Sequence, residues 1–414
     1  MKVVYDRCAG LDVHKKTVVA CRITRTETGE WRMETRTFGT MTDDLLLLAD
    51  WLRIAGVTQV AMESTGIYWR PIFNILEGEF AVSLVNAKHI KFVPGRKTDV
   101  KDAQWIAELL QYGLLKASFI PDAPQRELRE LVRYRTHLID ERTREINRIQ
   151  KVLEDANLKL ASVATDIMGV SAREMLTALI AGQDDPAILA QFAKARMRPK
   201  IAELERALTG RVKDSHRLLL KLHLEHIDDL NAKITALQGE IDKLLPPFDQ
   251  ADLLARLQTI PGVGEKVAQI IVAEVGIDMS RFPTAHHLAA WAGLTPGKKE
   301  SAGRNYSART SKANRYLKAS LVQAATAVGR SHDNYLAAQY HRLAAKRGKK
   351  RAAVAVAHSI LVIVFHLMRR GTSYIDLGAD YFDQRKSETI QNQLVKRLER
   401  LGLKVTLEPT PTAA

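Results

Sequence analysis

The stretch Ala9-Gly10-Leu11-Asp12-Val13-His14 decides how the first part of this chain folds. It is an apolar run that contains one acid, and a second apolar run, residues 17–24, follows after a short basic turn. Two such runs joined by a turn predict a β-hairpin. We therefore expect Asp12 to lie within the first strand of a sheet.

Alternating strands and helices are predicted to follow this hairpin. Strand-like runs cover residues 3–14, 17–24, 31–38, 57–63 and 81–86, and helical patterns cover 43–53, 68–76 and 100–112. A hairpin, a third strand and then alternating helices and strands is the element order of an α/β RNase H-like (RuvC-like) fold. The sequence thus predicts such a catalytic domain over residues 1–122.

Three further acids occur where this fold would bring them towards Asp12. Glu63 ends the fourth strand-like run, and Asp99 and Asp102 follow Thr98, a suitable helix N-cap. Their spacing of three places both carboxylates on one helix face, where the like charges favour a bound cation. Oxygen ligands suit Mg²⁺, with Mn²⁺ as the alternative, and two ions about 3.5–4 Å apart commonly serve phosphodiester chemistry. Any one acid alone is more often a cap or a solvated charge, so it is the order of all four that indicates a metal-dependent enzyme on nucleic acid.

Composition favours a nucleic-acid partner and a cytoplasmic location. The chain has 414 residues, 46% hydrophobic, with a net charge of +15 and a pI near 9.7. A basic excess of this size favours a polyanion. No apolar run reaches the roughly 20 residues that span a bilayer, residues 352–368 are expected to form a buried helix, and no signal peptide follows Met1. Cys8 and Cys21 are interpreted as reduced core thiols rather than a zinc site.

Two long helices are predicted in the middle of the chain. Apolar residues recur at spacings of three and four after Pro124, and a heptad pattern resumes from Ile227 to Leu244 before Pro246-Pro247 ends it. Helices this polar are expected to pair with each other or with another copy of the chain. We assign 123–249 to a coiled-coil or helical domain for oligomerisation and nucleic-acid contact, 250–380 to an all-α C-terminal domain, and 381–414 to a polar tail.

The C-terminal domain opens with a helix-hairpin-helix pattern over residues 257–268. Glycines 262 and 264 let the backbone approach a ligand, and the free N–H groups at the following helix start suit a phosphate. Such a contact would position nucleic acid without reading its sequence. The alternative is a turn between helices with a packing role only.

A Gly- and Lys-rich loop around Ser301 is the second candidate in this domain. Its basic neighbours could hold a phosphate beside the hydroxyl, although a bare serine needs a base or a metal to act as a nucleophile. From spacing alone Ser301 is more often structural, and Ser311 resembles an N-cap for the helix through Leu317. The proposed nucleic-acid contacts are Lys97, Gly262, Gly264, Lys266, Lys298, Lys299, Arg304, Arg309, Lys312, Arg315, Lys346, Arg347, Lys349 and Lys350.

Taken together, the motifs resemble those of one family. Five motifs carry the resemblance, and they occur in this order: Gly10-Leu11-Asp12-Val13-His14, Met62-Glu63-Ser64-Thr65-Gly66, Lys97-Thr98-Asp99-Val100-Lys101-Asp102-Ala103, Ile260-Pro261-Gly262-Val263-Gly264 and Glu300-Ser301-Ala302-Gly303. In these motifs and their order the chain resembles the DEDD-type insertion-sequence transposases. In that family a RuvC-like domain is joined by a coiled coil to a serine-bearing C-terminal domain. The resemblance covers roughly residues 5 to 380.

The resemblance implies a bacterial DNA transposase or recombinase, associated with the nucleoid when it acts. Asp12, Glu63, Asp99 and Asp102 would correspond to the metal-binding tetrad, and Ser301 to a nucleophile that becomes linked to DNA. A noncoding guide RNA from the element and a homo-oligomer, dimer or tetramer, would be the partners beside element-end and target DNA. Two alternatives stay open: a RuvC-like nuclease that hydrolyses branched DNA, and a non-catalytic architectural protein.

Overall fold

The computed structural model describes residues 3–64, 66–86, 102–297, 299–301, 304–306, 310, 313–385 and 387–407. The chain forms two compact units, Met1–Pro121 and Asp122–Ala414. We call them unit 1 and unit 2 and describe each by itself.

A mixed sheet forms the centre of unit 1. Its described strands are β1 (Arg7–Val13), β2 (Thr17–Arg25), β3 (Trp31–Gly39), β4 (Gln59–Glu63), β5 (Ala81–Val85) and β6 (Ala117–Ser118). They lie in the order β3-β2-β1-β4-β5-β6, and β1, β2 and β3 pair antiparallel. Strand β4 is parallel to β1 and to β5, whereas β6 is antiparallel to β5. This mixed α/β arrangement fits the RNase H-like domain predicted from the sequence.

Helices cover both faces of the sheet. Helices α1 (Thr42–Ile54) and α2 (Trp69–Leu76) pack on one face, and α3 (Asp102–Gln111) packs on the other. Side chains alternate along a strand, so Ala9 and Leu11 of β1 enter the first core and Cys8 enters the second. Each face therefore has its own apolar core.

The first strand is shorter than expected. The sequence predicted a strand from residue 3, but β1 begins at Arg7. The backbone N–H groups of Val4 and Tyr5 donate to the carbonyl of Gln111 instead, at 2.9 and 3.2 Å. The start of the described chain is thus held by the end of α3 and contributes no ladder bonds.

Unit 2 begins with a pair of long antiparallel helices, the two-helix arm. These are α4 (Ala123–Asp155) and α9 (Asp214–Leu244), which pack against each other around Leu138, Leu230 and Ile234. The Asp122 side chain caps α4 by accepting from Gln125 N–H, and Pro246 follows the end of α9. Of the two expected pairings, the structure contains the one within the chain.

Short helices close the far end of the arm. They are α5 (Leu160–Val163), α6 (Val170–Ile180), α7 (Pro186–Ala190), the 3₁₀ segment Ala195–Lys200 and α8 (Ile201–Leu208). Their apolar side chains form one core with Ile149, Leu153, Leu220 and Leu224 of the arm. The residues between α4 and α9 therefore form a packed helical tip.

The opposite end of the arm belongs to a larger helical core. It contains α10 (Leu253–Gln258), α11 (Glu265–Val275), α12 (Ala285–Trp291), α13 (Arg315–Val328), α14 (Tyr335–Arg347) and α15 (Lys349–Arg370). Leu128, Val132, Ile241 and Leu245 of the arm are buried in the same core. Beyond it lie α16 (Tyr381–Gln384) and α17 (Ser387–Glu399).

Helix α15 is both long and largely apolar. With its basic ends it has 22 residues and is long and apolar enough, by length and composition, to cross a membrane. Val356, Ile360, Leu361 and Phe365 are nevertheless buried among the C-terminal helices. The structure thus places this stretch as the buried core helix that its sequence predicted.

Candidate active site

Asp12 lies on the face of the sheet that carries α3. Cys8 of β1 packs with α3, and alternation places Gly10 and Asp12 on the same side. The Asp12 side chain is only 18% exposed, and its Oδ2 lies 2.9 Å from Nε2 of His14. His14 follows directly after the end of β1. The structure adds a direct contact with the first acid.

Close backbone contact between β1 and α3 fixes the direction of the helix. A Cβ on Gly10 would lie 2.3 Å from the N atom of Ala107 and 2.4 Å from the O atom of Ala103. The Cys8 thiol, further back along the strand, donates to the Ala107 carbonyl at 3.7 Å. Helix α3 therefore runs opposite to β1, and its first residue, Asp102, lies towards the Asp12 end.

Strand β4 brings Glu63 to the same end of the sheet. Leu11 is the register partner of Met62 in the parallel β1–β4 pair, so Asp12 and Glu63 each follow a paired position on adjacent strands. Ala61 packs with α3, and Glu63, two residues further on, lies on that face as well. Asp12, Glu63 and Asp102 thus share one face and one end of the sheet.

These carboxylates provide the oxygen donors that Mg²⁺ prefers. Asp99, the fourth predicted acid, lies outside the described residues, as does Lys97. Within the described ranges, no group of three or more His, Cys, Asp or Glu side chains is placed to hold a metal ion. The structure shows that Asp12, Glu63 and Asp102 lie at the same end of the sheet, on two paired strands and a helix that packs against them.

The two cysteines of unit 1 are core thiols. Both are free and buried, and they pack with Ala103, Ile106 and Ala107 beneath α3. Burial, followed by the effect of Cys21, raises the pKa of the Cys8 thiol to about 12. A thiol held neutral in this way is neither a nucleophile nor a metal ligand at neutral pH.

In unit 2, the predicted hairpin connects α10 to α11. Gly262 has φ +82°, and a Cβ there would lie 2.5 Å from Cγ2 of Val328 and 2.6 Å from the carbonyl oxygen of Ala324. Its lack of a side chain is thus required by packing against α13. Gly264 is different, because it is the N-cap of α11 and its Cβ position faces open space. Lys266 is exposed in the first turn.

Ser301 lies at the end of a short strand. The sequence predicted a loop here, but β7 (Lys299–Ser301) and β8 (Arg304–Tyr306) pair antiparallel, with Ser301 opposite Arg304. A bridge between Pro296 and Thr310 lies outside this pair. Local backbone pairing therefore replaces the expected loop. Lys298, Arg309 and Lys312 lie outside the described residues. We refer to residues 299–312 as the serine segment.

The remaining basic residues lie on the surface of unit 2. Arg315 begins α13, and Lys346, Arg347, Lys349 and Lys350 are exposed where α14 ends and α15 begins. The only break between these two helices is Gly348, at φ +81°. These four exposed basic residues lie within five positions of the chain, and we call them the exposed patch. Such a cluster of positive charge suits a phosphate backbone.

Sequence reasoning missed a buried acid in the same unit. Glu274 lies in the apolar helix α11 with a side chain 0% exposed, and both of its oxygens are bonded to Arg133. The signal was present as a lone acid in the run Ile270-Ile271-Val272-Ala273-Glu274-Val275. The N-cap of α13 was also misassigned: Asn314, whose Oδ1 accepts from Leu317 N–H at 3.1 Å, holds that position rather than Ser311.

Comparison with known proteins places both units in one family. Residues 9–158 match the DEDD transposase family model of the IS110 type, and residues 254–342 match the model described as transposase IS116/IS110/IS902 family. The first match runs from β1 to just beyond α4, and the second contains the hairpin and the serine segment. Together the two regions span more than half of the chain.

Individual relatives agree with these matches. The chain is 28% identical over 304 residues to an uncharacterised 43.6 kDa protein of insertion element IS110 from Streptomyces coelicolor, covering 68% of this chain and 73% of that protein. It is 28% identical over 297 residues to the transposase for insertion sequence element IS1111A from Coxiella burnetii, with 70% and 72% coverage. A probable family 20 transposase from Pseudomonas aeruginosa is 26% identical over 322 residues, with 76% and 85% coverage. The chain belongs to the DEDD-type insertion-sequence transposases of the IS110/IS116/IS902 family.

Proposed function

We propose that this transposase cleaves and rejoins DNA with two groups of residues, the acids of unit 1 and Ser301 of unit 2. The observation that carries the proposal is the placement of Asp12, Glu63 and Asp102 at one end and on one face of an RNase H-like sheet. Binding alone requires no such carboxylates in a chain with a net charge of +15.

The acids fit a divalent cation by their chemistry. Asp12, Glu63, Asp99 and Asp102 would hold it, because carboxylate oxygens are the hard ligands that Mg²⁺ and Mn²⁺ take. When bound, the cation stabilises the negative charge that develops on the attacked phosphate. His14, 2.9 Å from Asp12, orients that carboxylate from the exposed side.

In the proposed cleavage step, Oγ of Ser301 forms a bond to the phosphorus of one phosphodiester. The bond from that phosphorus to one deoxyribose oxygen breaks, the serine hydroxyl loses its proton, and the departing oxygen gains one. The resulting protein–DNA phosphodiester conserves the bond energy. Attack by a second strand end then reverses the same exchange and releases Ser301.

Nucleic acid would be held by backbone contacts in unit 2. Gly264 and Lys266 at the start of α11 suit a phosphate, and the exposed patch of Lys346, Arg347, Lys349 and Lys350 suits a duplex. Contacts to the phosphate backbone carry no base sequence, so we propose that a guide RNA supplies the sequence recognition. We also propose a homo-oligomer formed through the two-helix arm as a coiled coil.

A denaturing gel of labelled DNA that carries the element ends tests this proposal. We expect a protein-linked band that requires Mg²⁺, is abolished by Ser301→Ala, and persists in Ser307→Ala, a matched change in the same segment. Guide RNA transcribed from the element flank should increase the yield. Nicked DNA with free ends, equally abundant in Ser301→Ala, would show a hydrolytic nuclease instead. DNA binding with no cleavage under any metal condition would favour the architectural alternative.

A further inference from the structure

The buried carboxylate of Glu274 connects three helices of unit 2. Its Oε1 accepts from Nε of Arg133 at 2.6 Å, and its Oε2 accepts from Nη2 of the same side chain at 2.8 Å. Oε2 also accepts from Nδ2 of Asn314 at 2.7 Å. Helices α4, α11 and the start of α13 thus meet at one fully buried group.

Charge in this place has a cost that an apolar residue would avoid. Desolvation of a buried carboxylate is offset only when its lone pairs are satisfied, and replacing such pairs with apolar side chains is often neutral or stabilising. Arg129 adds to the same cluster by donating to the carbonyls of Ala273 and Glu274. Burial lowers the pKa of Arg129 to about 10. A gain in stability therefore does not account for this buried cluster. Its hydrogen bonds do, however, fix the relative positions of the three helices that meet there.

Asn314 is the residue whose geometry the cluster fixes. Its Oδ1 caps α13 through Leu317 N–H, while its Nδ2 donates to Glu274. The same side chain therefore starts the helix and ties that start to α11. The helix that Asn314 starts also contacts the serine segment, because Nζ of Lys318 in α13 donates to Oγ1 of Thr310 at 2.6 Å.

A second contact from the arm holds the same helix end. The guanidinium of Arg133 lies 4.6 Å from the centroid of the Tyr316 ring, and Nε2 of His137 lies 2.8 Å from the Tyr316 hydroxyl. Arg133 thus touches both Glu274 and the first turn of α13. The start of α13 has its position set by α4.

We propose that Glu274 is a positioning residue for Ser301, acting through Asn314. Its bond to Asn314 fixes the start of α13 against α4 and α11, and α13 in turn holds Thr310 of the serine segment. This inference rests on the proposed role of Ser301 as the nucleophile. It adds a dependence of the serine reaction on the arm, since Arg133 of α4 completes the cluster. Displacement of a reacting group by an ångström can lower a rate by about a hundredfold.

Asn314→Ser removes the hydrogen bond to Glu274 while keeping the N-cap of α13. Serine is an equally good N-cap, so α13 keeps its first hydrogen bond, but the donor to Glu274 is lost. Asn334→Ser is the matched control, because Asn334 caps α14 in the same way and its Nδ2 donates to Ser331 instead. Glu274→Ala is less informative, since Arg129 and the half-buried Arg133 would lose the carboxylate that they face, which would destabilise the whole unit.

The measurements are the single-turnover rate of protein–DNA adduct formation at saturating DNA, the Kd for that DNA, and hydrogen exchange of the peptide 299–317. In Asn314→Ser we expect an adduct rate at least about tenfold lower, an unchanged Kd, and faster exchange of that peptide. Asn334→Ser should match the parent chain in all three.

The outcomes separate this inference from the proposed function. A parental adduct rate and parental exchange in Asn314→Ser would overturn the inference and leave serine chemistry intact. Absence of any adduct in the parent chain would overturn the proposed function and the positioning role together. An equal loss of rate in Asn334→Ser would show a general effect of cap substitutions and would also overturn the inference.

Discussion

Gly10 lies where strand β1 and helix α3 touch backbone to backbone. Any side chain there would enter the space of Ala103 and Ala107, at 2.4 and 2.3 Å. Gly10, two residues before the first acid, is thus required for α3 to reach the strand. Its presence explains how Asp102 comes to the Asp12 end of the sheet.

Gly10→Ala should therefore destabilise unit 1. Overpacking a close contact costs roughly 1–3 kcal/mol of unfolding free energy, and here both obstructing atoms are backbone. Chemical denaturation followed by circular dichroism measures the change. Gly78→Ala is the control, because its Cβ would meet open space. Equal stability of the two variants would contradict the packing described for α3.

The buried thiols give unit 1 a predictable response to alkali. Burial raises the pKa of Cys8 from its ordinary 9.0 to about 12 in the folded chain. A group with a raised folded-state pKa stabilises the fold fully below its unfolded pKa and loses that contribution as pH rises through the folded value. The unfolding free energy should fall between pH 9 and 12.

Cys8→Ala separates this thiol from lysines and tyrosines that titrate in the same range. The variant should show a shallower fall in unfolding free energy between pH 9 and 12 than the parent chain. At pH 8 an alkylating reagent should modify the folded parent far more slowly than the denatured chain. Rapid alkylation of folded Cys8 would contradict the buried position of this thiol.

At the scale of elements, the two hairpin glycines have different roles. Gly262 combines a positive φ with close contact to α13, whereas Gly264 caps α11 beside open space. We expect Gly262→Ala to lower the melting temperature of unit 2, with a cost of about 1–3 kcal/mol. Gly264→Ala should fold almost normally, because nothing obstructs its Cβ.

The same pair tests which glycine faces nucleic acid. A DNA-binding titration at fixed salt should show weaker binding for Gly264→Ala, since a methyl group would stand at the helix start that suits a phosphate. Unchanged affinity in Gly264→Ala would leave the hairpin with a packing role only, the alternative that the sequence left open.

Element type was predictable wherever an apolar period was long. The sheet of unit 1, the two arm helices and the buried helix over 352–368 all follow from alternation or from spacings of three and four. Shorter elements failed for local reasons. Strands β7 and β8 of the serine segment were not predicted, because three residues are too few to show an alternating pattern. The cap of α13 was also wrong, since Asn314 rather than Ser311 holds that position.

At the scale of the whole molecule, the candidate site residues were predictable from the sequence, but the tertiary contacts that hold the elements around them were not. Asp12 and Glu63 were predicted as strand acids, and their register on β1 and β4 follows from the parallel pairing seen in the structure. Glu274 stands out in the sequence as a lone acid in an apolar run, but its partners could not be predicted, because they lie about 140 and 40 residues away in the chain. Tertiary contacts of that separation leave no local pattern.

Assignment of the DNA-linked residue tests the central claim most directly. The protein would react with element-end DNA and Mg²⁺, the adduct would be digested with nuclease and protease, and the modified peptide would be identified by mass spectrometry. We predict a nucleotide joined through phosphate to Ser301 in the parent chain, and no modified peptide in Asp12→Asn, although that variant still binds DNA. A nucleotide on another residue, or an undiminished Ser301 adduct in Asp12→Asn, would contradict the joint action of the acids and the serine.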